Sequence, residues 1–292
     1  MLVTGASGFV GRALLRQVPA SACLSLGQPG WREAIEAADF RDAVVVHLAA
    51  RVHERHGRAE EFERDNVGKS RALAEAAAGA GAARFIFAST AKVHGEQTHG
   101  EAITEQSPFA PADPYARSKW LAEEALREIG ARTGMPVVTV RFPLTYGPGV
   151  GGNILALIRL SDSGLPLPFA AIGNRRSLIH VDDLAQALHL VASEPAVCAG
   201  SFLAAHPQPV STPDLVSALR RALGRPARLF AMPVALLEGA ASLAGRGETM
   251  RRLTRSLEID SSALQGLGWR PNRDLDTGLA ETVRAWRAQA TG

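Results

Sequence analysis

Residues 1–11 read MLVTGASGFVG, a short apolar run that leads directly into Gly5, Gly8 and Gly11. Apolar residues at helical spacing follow over 10–18 and predict an amphipathic helix. A glycine-rich turn between a strand and a helix lets the backbone approach a pyrophosphate, whose charge is met by the helix N-terminus. The spacing is G-x-x-G-x-x-G, whereas the strict fingerprint is G-x-G-x-x-G. The stretch predicts a dinucleotide-binding turn, and an ordinary tight turn is the alternative for an isolated motif.

The segment after this helix lacks a residue that such folds usually have. A second strand normally ends about 20 residues past the glycines with an Asp or Glu for the adenosine ribose. Residues 22–28 read ACLSLGQ, with no acid and no obvious basic replacement for a 2′-phosphate. The segment up to Trp31 is also too short for a strand, a helix and a further strand. We therefore predict that one strand-helix unit is trimmed.

Apolar runs and helix-forming runs alternate along the first half of the chain. The runs 43–50 (AVVVHLAA), 84–88 (RFIFA) and 137–142 (VVTVRF) have the continuous apolar character of buried parallel strands. Helices are predicted over 66–78 and 116–130, which are rich in helix-forming residues. This alternation predicts an α/β fold with a doubly wound parallel sheet.

Composition narrows the class of protein. The 292 residues are 46% hydrophobic with a net charge of only +3, and no long run of like charges occurs, so nucleic-acid and membrane-surface roles are not expected. Cys23 and Cys198 form no metal or redox pattern, which fits a reduced compartment. No signal peptide precedes the first motif, and no apolar run approaches the roughly 20 residues of a membrane span. A cytoplasmic protein is expected.

The segment Tyr115-Ala-Arg-Ser-Lys119 opens the helix predicted over 116–130. Tyr115 and Lys119 are four residues apart, so their side chains lie on one helix face. A nearby ammonium favours phenolate, and we therefore predict that Lys119 lowers the pKa of Tyr115 toward general acid–base work. Most chance occurrences of Y-x-x-x-K are exposed helix residues, so the motif depends on its context.

Histidine pairs raise the question of a metal. His53 and His56, or His94 and His99, have suitable spacing, but no carboxylate or Cys completes a ligand set in the sequence. We expect no metal site.

Taken together, these motifs resemble the extended short-chain dehydrogenase/reductases, the NAD-dependent epimerase/dehydratase family. The resemblance covers nearly the whole chain, and several ordered motifs are more specific than any one. They are TGASGFVG at 4–11, HLAA at 47–50, Asn66-Val67 at a helix start, FASTAKVHGE at 87–96, Y-x-x-x-K, RFPLTYGPG at 141–149, RRSLIHVDDLAQAL at 175–188 and LGWRP at 267–271. Within the family the chain most resembles the polysaccharide-biosynthesis branch, near UDP-glucose 4-epimerase and the UDP-4-keto-6-deoxy-N-acetylhexosamine 4-reductases.

The resemblance implies roles for individual residues. It assigns Tyr115 as the catalytic acid/base, Lys119 as its activator, and Thr90 as a catalytic hydroxyl. The implied cofactor contacts are Gly5, Gly8, Phe9, Val10, Gly11, Leu48, Ala49, Ala50, Asn66, Ser89, Tyr115, Lys119, Phe142 and Pro143. The implied substrate contacts are Thr90, Asn153, Arg176 and Arg251, with Arg252 as an alternative to the last. Leu144 departs from the family pattern, because an Asn is common there.

The resemblance also implies a domain plan. Residues 1–150 would form a Rossmann dinucleotide-binding domain, to which about 174–205 returns. Residues 151–292 would form a smaller, mostly helical nucleotide-sugar-binding lobe. A homodimer is expected through the helices predicted over 66–78 and 115–130.

The implied activity is hydride transfer at C4 of a UDP-hexose. A 4-reductase acting on a UDP-4-keto-6-deoxy-N-acetylhexosamine is favoured, with a UDP-glucose or UDP-GlcNAc 4-epimerase as the alternative. A non-catalytic dinucleotide-binding protein is the alternative from another class. NAD is the favoured cofactor because nothing basic in residues 22–28 replaces the absent acid, and NADP stays open.

Overall fold

A computed structural model describes residues 1–19, 21–52 and 58–290. The strands are β1 Leu2–Thr4, β2 Ala22–Leu24, β3 Val44–His47, β4 Arg84–Ala88, β5 Val137–Arg141, β6 Leu144–Tyr146, β7 Leu178–His180 and β8 Gly200–Leu203. Six of them form a wholly parallel sheet in the order β2-β1-β3-β4-β5-β8. The predicted α/β fold with a doubly wound parallel sheet is confirmed.

Helices cover both faces of this sheet. They are α1 Phe9–Gln17, α2 Trp31–Glu36, α3 Ala59–Phe62, α4 Lys69–Gly79, α5 Pro114–Thr133, α6 Gly152–Asp162, α7 Val181–Ser193, α8 Thr212–Ala222, α9 Val234–Leu243, α10 Gly247–Thr254, α11 Ser262–Gly266 and α12 Leu275–Ala290. Side chains alternate across β3, so Val46 packs toward α1 and α7 while Val45 packs toward α4 and α5. Burial on both faces explains why the strands read as continuous apolar runs.

The edge of the sheet confirms the predicted trimming. The order 2-1-3-4-5 is that of flavodoxin-like sheets, whereas the commoner dinucleotide-binding order places a further strand beyond β2. In the part of the chain that the structure describes, only the short helix α2 lies between β2 and β3. The three-residue strand β2 therefore forms the edge beside the expected adenosine end of the site.

The helix predicted from residue 66 begins earlier than expected. Helix α3 continues into a π-helical segment, Glu63–Gly68, which then runs into α4. Residues 59–65 are mostly Ala, Glu and Arg, which favour helix, and Phe62 anchors them in the core at 3% exposure. π-Helical turns are rare and frequently lie at functional sites. Here the turn contains Asn66.

The C-terminal third has a core of its own. Strands β6 and β7 form a separate parallel pair, and α6, α8 and α12 pack beside them. The segment expected to return to the sheet supplies β8 to the large sheet, whereas β7 pairs outside it. Among the described residues, no helix combines the length and apolar character needed to cross a bilayer.

Candidate active site

A cavity of about 850 Å³ opens at the carboxyl ends of β1, β2 and β3. Gly5 and Gly8 line it, and Gly5 has a φ of +70°. A Cβ on Gly5 would lie 2.6 Å from the Ala49 nitrogen, and one on Gly11 would lie 2.2 Å from the Gly5 oxygen. Only glycine fits these positions. The bare backbone beside the N-terminus of α1 fits a dinucleotide pyrophosphate.

The loop after β3 forms the opposite wall of the cavity. The Leu48 N–H donates to the Thr4 carbonyl at 3.2 Å, and the Ala49 N–H donates to Thr4 Oγ1 at 3.3 Å. These bonds hold the loop against the tip of β1. The predicted cofactor contacts Leu48, Ala49 and Ala50 all line the cavity.

Asn66 fixes this wall to α5. Its side chain accepts from the Arg51 N–H at 2.7 Å and donates to the Arg51 carbonyl at 3.0 Å. It also donates to Ser118 Oγ at 2.9 Å, and Ser118 in turn donates to the Tyr115 carbonyl. With 1% exposure, Asn66 would support a cofactor by positioning the residues around it.

The predicted acid/base pair lies at the start of α5. The Asp113 carboxylate caps this helix by accepting from the Ala116 N–H at 2.6 Å, and Pro114 occupies its first turn. Lys119 is 2% exposed, and its Nζ lies 3.8 Å from the centroid of the Phe87 ring on β4. The helix thus delivers Lys119 to the sheet beside the cavity.

The predicted hydroxyl lies where β4 ends. Thr90 is 7% exposed and caps a 3₁₀ turn over Ala91–His94, where its Oγ1 accepts from the Lys92 N–H at 3.3 Å. The Ala91 N–H donates to the Phe142 carbonyl at 3.0 Å, which ties this turn to the end of β5. Phe142 and Pro143 therefore border Thr90, as the expected nicotinamide end requires. Phe9 and Val10 lie in the first turn of α1.

The predicted lowering of the Tyr115 pKa is wrong for the unliganded molecule. Burial first, and the Asp113 carboxylate second, raise the pKa of the Tyr115 phenol above its ordinary value of 10.0. Burial lowers the pKa of Lys119 to about 7, although Glu123 opposes the shift. An ammonium that loses its own proton near neutrality is a weak stabiliser of phenolate. The phenol therefore carries its proton at neutral pH.

Ser89 departs from its expected role as a cofactor contact. It is fully buried, and its hydroxyl donates to the Glu123 carboxylate. Glu123 pairs with Arg141 at 2.7 Å, and both side chains are at most 6% exposed. Arg141 Nη1 lies 3.2 Å from His94 Nε2. Because alternate strand residues face opposite ways, Thr90 is left toward the site while Ser89 faces this buried polar network.

Sequence reasoning missed this network, although two signals pointed to it. Glu123 follows Tyr115 and Lys119 at further helical steps of four, which places an acid on the same inward face of the helix. Arg141 ends an otherwise apolar strand. A second missed feature is Lys92, whose Nζ bonds Asp113 at 2.7 Å and Glu96 at 2.8 Å.

The expected substrate residues fall into two groups. Arg176 is partly buried, donates to the Arg255 carbonyl at 2.9 Å, and has a pKa that burial lowers. Arg252 Nη2 lies 3.7 Å from the Glu96 carboxylate, and Glu96 and Arg252 both act on the Arg176 pKa. Arg251, the residue expected here, is instead exposed on α10, because its neighbour faces the cleft. Asn153 is exposed in the first turn of α6, and its role stays a prediction.

The histidines show no further candidate for catalysis among the described residues. His53 and His56 lie outside that part of the chain. His94 contacts Arg141, and His99 Nε2 lies 3.0 Å from Gln97. His180 caps α7 and lies near Asp182 and Glu281, a grouping absent from the sequence interpretation. Both carboxylates already pair with arginines, Arg16 with Asp182 and Arg273 with both, so the group is explained as an ion-pair cluster.

His47 makes the stability of this wall depend on pH. It is fully buried between Thr4 Oγ1 (2.6 Å) and Ser70 Oγ (2.8 Å), and burial, with Lys119 adding, lowers its pKa from 6.5 to about 3. Below pH 6.5 the unfolded chain binds a proton that the folded chain refuses, so stability should fall as pH falls toward 3. Between pH 7 and pH 5 the loss should be about 2 kcal/mol.

Urea unfolding at both pH values measures this loss. The variant His47→Gln removes the titrating group and keeps a side chain that can bond both hydroxyls, so its stability should vary less with pH. Other groups contribute equally to both proteins, and the difference between them isolates His47. Identical pH dependence in the two would contradict the assignment.

Comparison with known proteins places this geometry in a family. A sequence model of the NAD dependent epimerase/dehydratase family matches residues 28–200. The UDP-glucose 4-epimerase of Vibrio cholerae is 31% identical over 312 residues, covering 98% of this chain and 95% of that protein.

Solved structures share the fold over almost the whole chain. RMD from Pseudomonas aeruginosa, complexed with NADPH, aligns with a TM-score of 0.78 at 21% identity, covering 98% of this chain and 99% of that one. The UDP-glucose 4-epimerase of Thermus thermophilus, in complex with NAD, aligns with a TM-score of 0.77 at 23% identity, covering 98% of each. The chain belongs to the NAD-dependent epimerase/dehydratase family, and it is an NAD(P)-dependent enzyme.

Proposed function

We propose that the enzyme transfers a hydride at C4 of a UDP-linked hexose, and that it works as a 4-reductase on a UDP-4-keto-6-deoxy-N-acetylhexosamine for polysaccharide biosynthesis. The observation that carries this proposal is the protonated state of Tyr115 beside the open cavity. A ketone that gains a hydride at carbon must gain a proton at oxygen. A phenol whose pKa is raised by burial and by Asp113 is suited to donate that proton.

The residues around Tyr115 have distinct tasks in this proposal. The nicotinamide cofactor supplies the hydride when bound. Tyr115 gives its proton to the C4 oxygen, and Thr90 donates a second hydrogen bond to the same atom. Lys119, with a pKa of about 7, is poised to hold or release a proton near the phenol. Arg176 and Arg252 lie where basic side chains could hold a diphosphate, for which a guanidinium is well suited.

Removing the Thr90 hydroxyl should slow the reaction less than removing the acid. Thr90→Ala deletes one hydrogen bond to the reacting oxygen, which is worth about 100-fold in kcat. Its Oγ1 is also the cap of the 3₁₀ turn, so Thr90→Ser, which retains the hydroxyl, is the matched control. Steady-state kinetics of both variants test this. Equal losses in kcat for Ala and Ser would contradict a role for the hydroxyl.

A 4-epimerase is the second candidate, and the Vibrio cholerae relative favours it. An epimerase must keep its cofactor bound while the keto sugar turns over in place, whereas a reductase must exchange its cofactor in each cycle. The strand that would flank the adenosine half beyond β2 is missing from the described sheet. That opening favours an exchangeable cofactor and thus the reductase.

The state of the cofactor after purification separates the two candidates. Freshly purified protein is denatured, and the supernatant is assayed for NAD and NADP. Folded protein is then incubated with UDP-GlcNAc and UDP-glucose without added cofactor, and with the 4-keto sugar plus reduced cofactor. We expect little retained cofactor and oxidation that depends on the keto sugar. Stoichiometric retained NAD with interconversion of UDP-GlcNAc and UDP-GalNAc would sink the reductase form.

We also propose a homodimer through α4 and α5. The two helices pack side by side, and their outer surface carries a shallow groove of about 460 Å³ between Val67 and Ala125. Small side chains on both helices allow close helix packing. Light scattering at micromolar concentration should give twice the 30.9 kDa chain mass. A monomer would contradict the dimer.

A further inference from the structure

The adenosine end of the cavity has an unusual composition. Residues Ser25, Leu26, Gly27 and Gln28 follow β2 and line the cavity, and none of them is acidic. This is where an Asp or Glu would accept hydrogen bonds from the ribose hydroxyls of NAD. The ribose must therefore be recognised by residues that come from elsewhere in the chain.

Lys69 reaches this position from the first residue of α4. Its Nζ donates to the Leu26 carbonyl at 3.0 Å and lies 5.8 Å from the centroid of the Trp31 ring. The Lys69 side chain is 20% exposed, so contact on several sides holds the ammonium at the tip of β2. Tertiary folding thus supplies the basic group that residues 22–28 lack.

The charges around Lys69 favour an anion. The described residues lining this cavity include three cations, Arg51, Arg64 and Lys69, and one carboxylate, Asp65. Asp65 bonds to all three, at 2.8 Å to Arg51, 3.2 Å to Arg64 and 3.3 Å to Lys69. A carboxylate shared among three cations is a poor acceptor for a ribose hydroxyl, and the cations outnumber it.

We propose that Lys69, with Arg64 beside it, binds the 2′-phosphate of the adenosine ribose, so that the enzyme prefers NADP(H) to NAD(H). The phosphate would be held between a lysine from the start of α4 and an arginine from the π-helical segment. Lys69 is then a specificity-determining residue. The inference concerns only the adenosine half of the cofactor and does not depend on the reaction at C4.

Calorimetric titration with adenosine fragments tests the subsite without any turnover. The probes are 2′,5′-ADP and 5′-ADP, which differ in whether a 2′-phosphate is present, followed by NADPH and NADH. Charge-assisted hydrogen bonds predict that wild-type protein binds 2′,5′-ADP about tenfold or more tightly than 5′-ADP. Equal affinities, or tighter binding of 5′-ADP, would overturn the proposal.

Variants identify the residue responsible. Lys69→Met keeps the aliphatic stem, and should weaken 2′,5′-ADP and NADPH about tenfold while NADH stays within about twofold. Lys69→Arg should retain the preference. Arg32→Met is the matched control, because Arg32 stacks on Trp31 at 4.4 Å but does not line the cavity. Equal weakening of 5′-ADP and 2′,5′-ADP in Lys69→Met, or no weakening, would remove Lys69 from the 2′-phosphate subsite.

Discussion

Tyr115→Phe should lower kcat on the order of 1,000-fold, while the Kd of the cofactor stays nearly unchanged. The change removes only the oxygen that carries the transferred proton. The ring remains, so its edge-to-face contact with Phe62 at 6.4 Å is preserved. Steady-state kinetics give kcat, and calorimetry gives Kd. A wild-type rate in this variant would show that the proton comes from another group.

The chain offers a matched control, because it has only two tyrosines. Tyr146 is buried in the C-terminal core against His180, and Tyr146→Phe should leave the rate unchanged. In that control Tyr115 is also the sole tyrosine, so ultraviolet titration reads its pKa directly. The phenol should ionise above pH 10 in the protein without cofactor. Ionisation near neutrality would instead restore the activating role first predicted for Lys119.

Glu123→Ala should reduce the free energy of unfolding by about 3–5 kcal/mol. The substitution leaves Arg141 buried at 5% exposure without its carboxylate, and it also removes the acceptor of the Ser89 hydroxyl. Urea unfolding measures the change. Glu124→Ala is the neighbouring control, because Glu124 pairs with Arg127 at the surface, where such pairs contribute less than about 1 kcal/mol.

A double variant separates the cost of an orphaned charge from the worth of the pair. Glu123→Leu combined with Arg141→Met replaces both ions by apolar side chains of similar size. This protein should be more stable than Glu123→Ala, because no unpaired charge remains buried. A Glu123→Ala protein as stable as the wild type would contradict the importance of the network.

Much of the fold was accessible from sequence because its signals are local. The apolar runs 43–50, 84–88 and 137–142 became β3, β4 and β5, and the glycines at 5, 8 and 11 became the strand-to-helix turn. Even the trimmed unit could be read from the length of chain before Trp31. The early helix start could not, since charged residues 59–65 carry no apolar periodicity.

The parts of the site that escaped prediction depend on three-dimensional neighbours. Lys69 reaches β2 from another helix, which no spacing along the chain reveals. The sign of the Tyr115 shift depends on how much water the fold removes from the phenol, and on the nearby Asp113. Sequence showed a lysine four residues away, and burial outweighed it. The choice between Arg251 and Arg252 likewise depends on the rotation of α10.

The loss of the outer strand also bears on self-association. Strand β2 has one partner, β1, so its other side presents unpaired backbone groups to which another chain could hydrogen-bond. Exposed sheet edges are sites of aggregation, and short strands limit the risk. At three residues β2 is a poor template, and Pro29 lies a few residues beyond it. Lengthening β2 in an engineered enzyme would therefore need a charge or a proline to keep that edge from pairing.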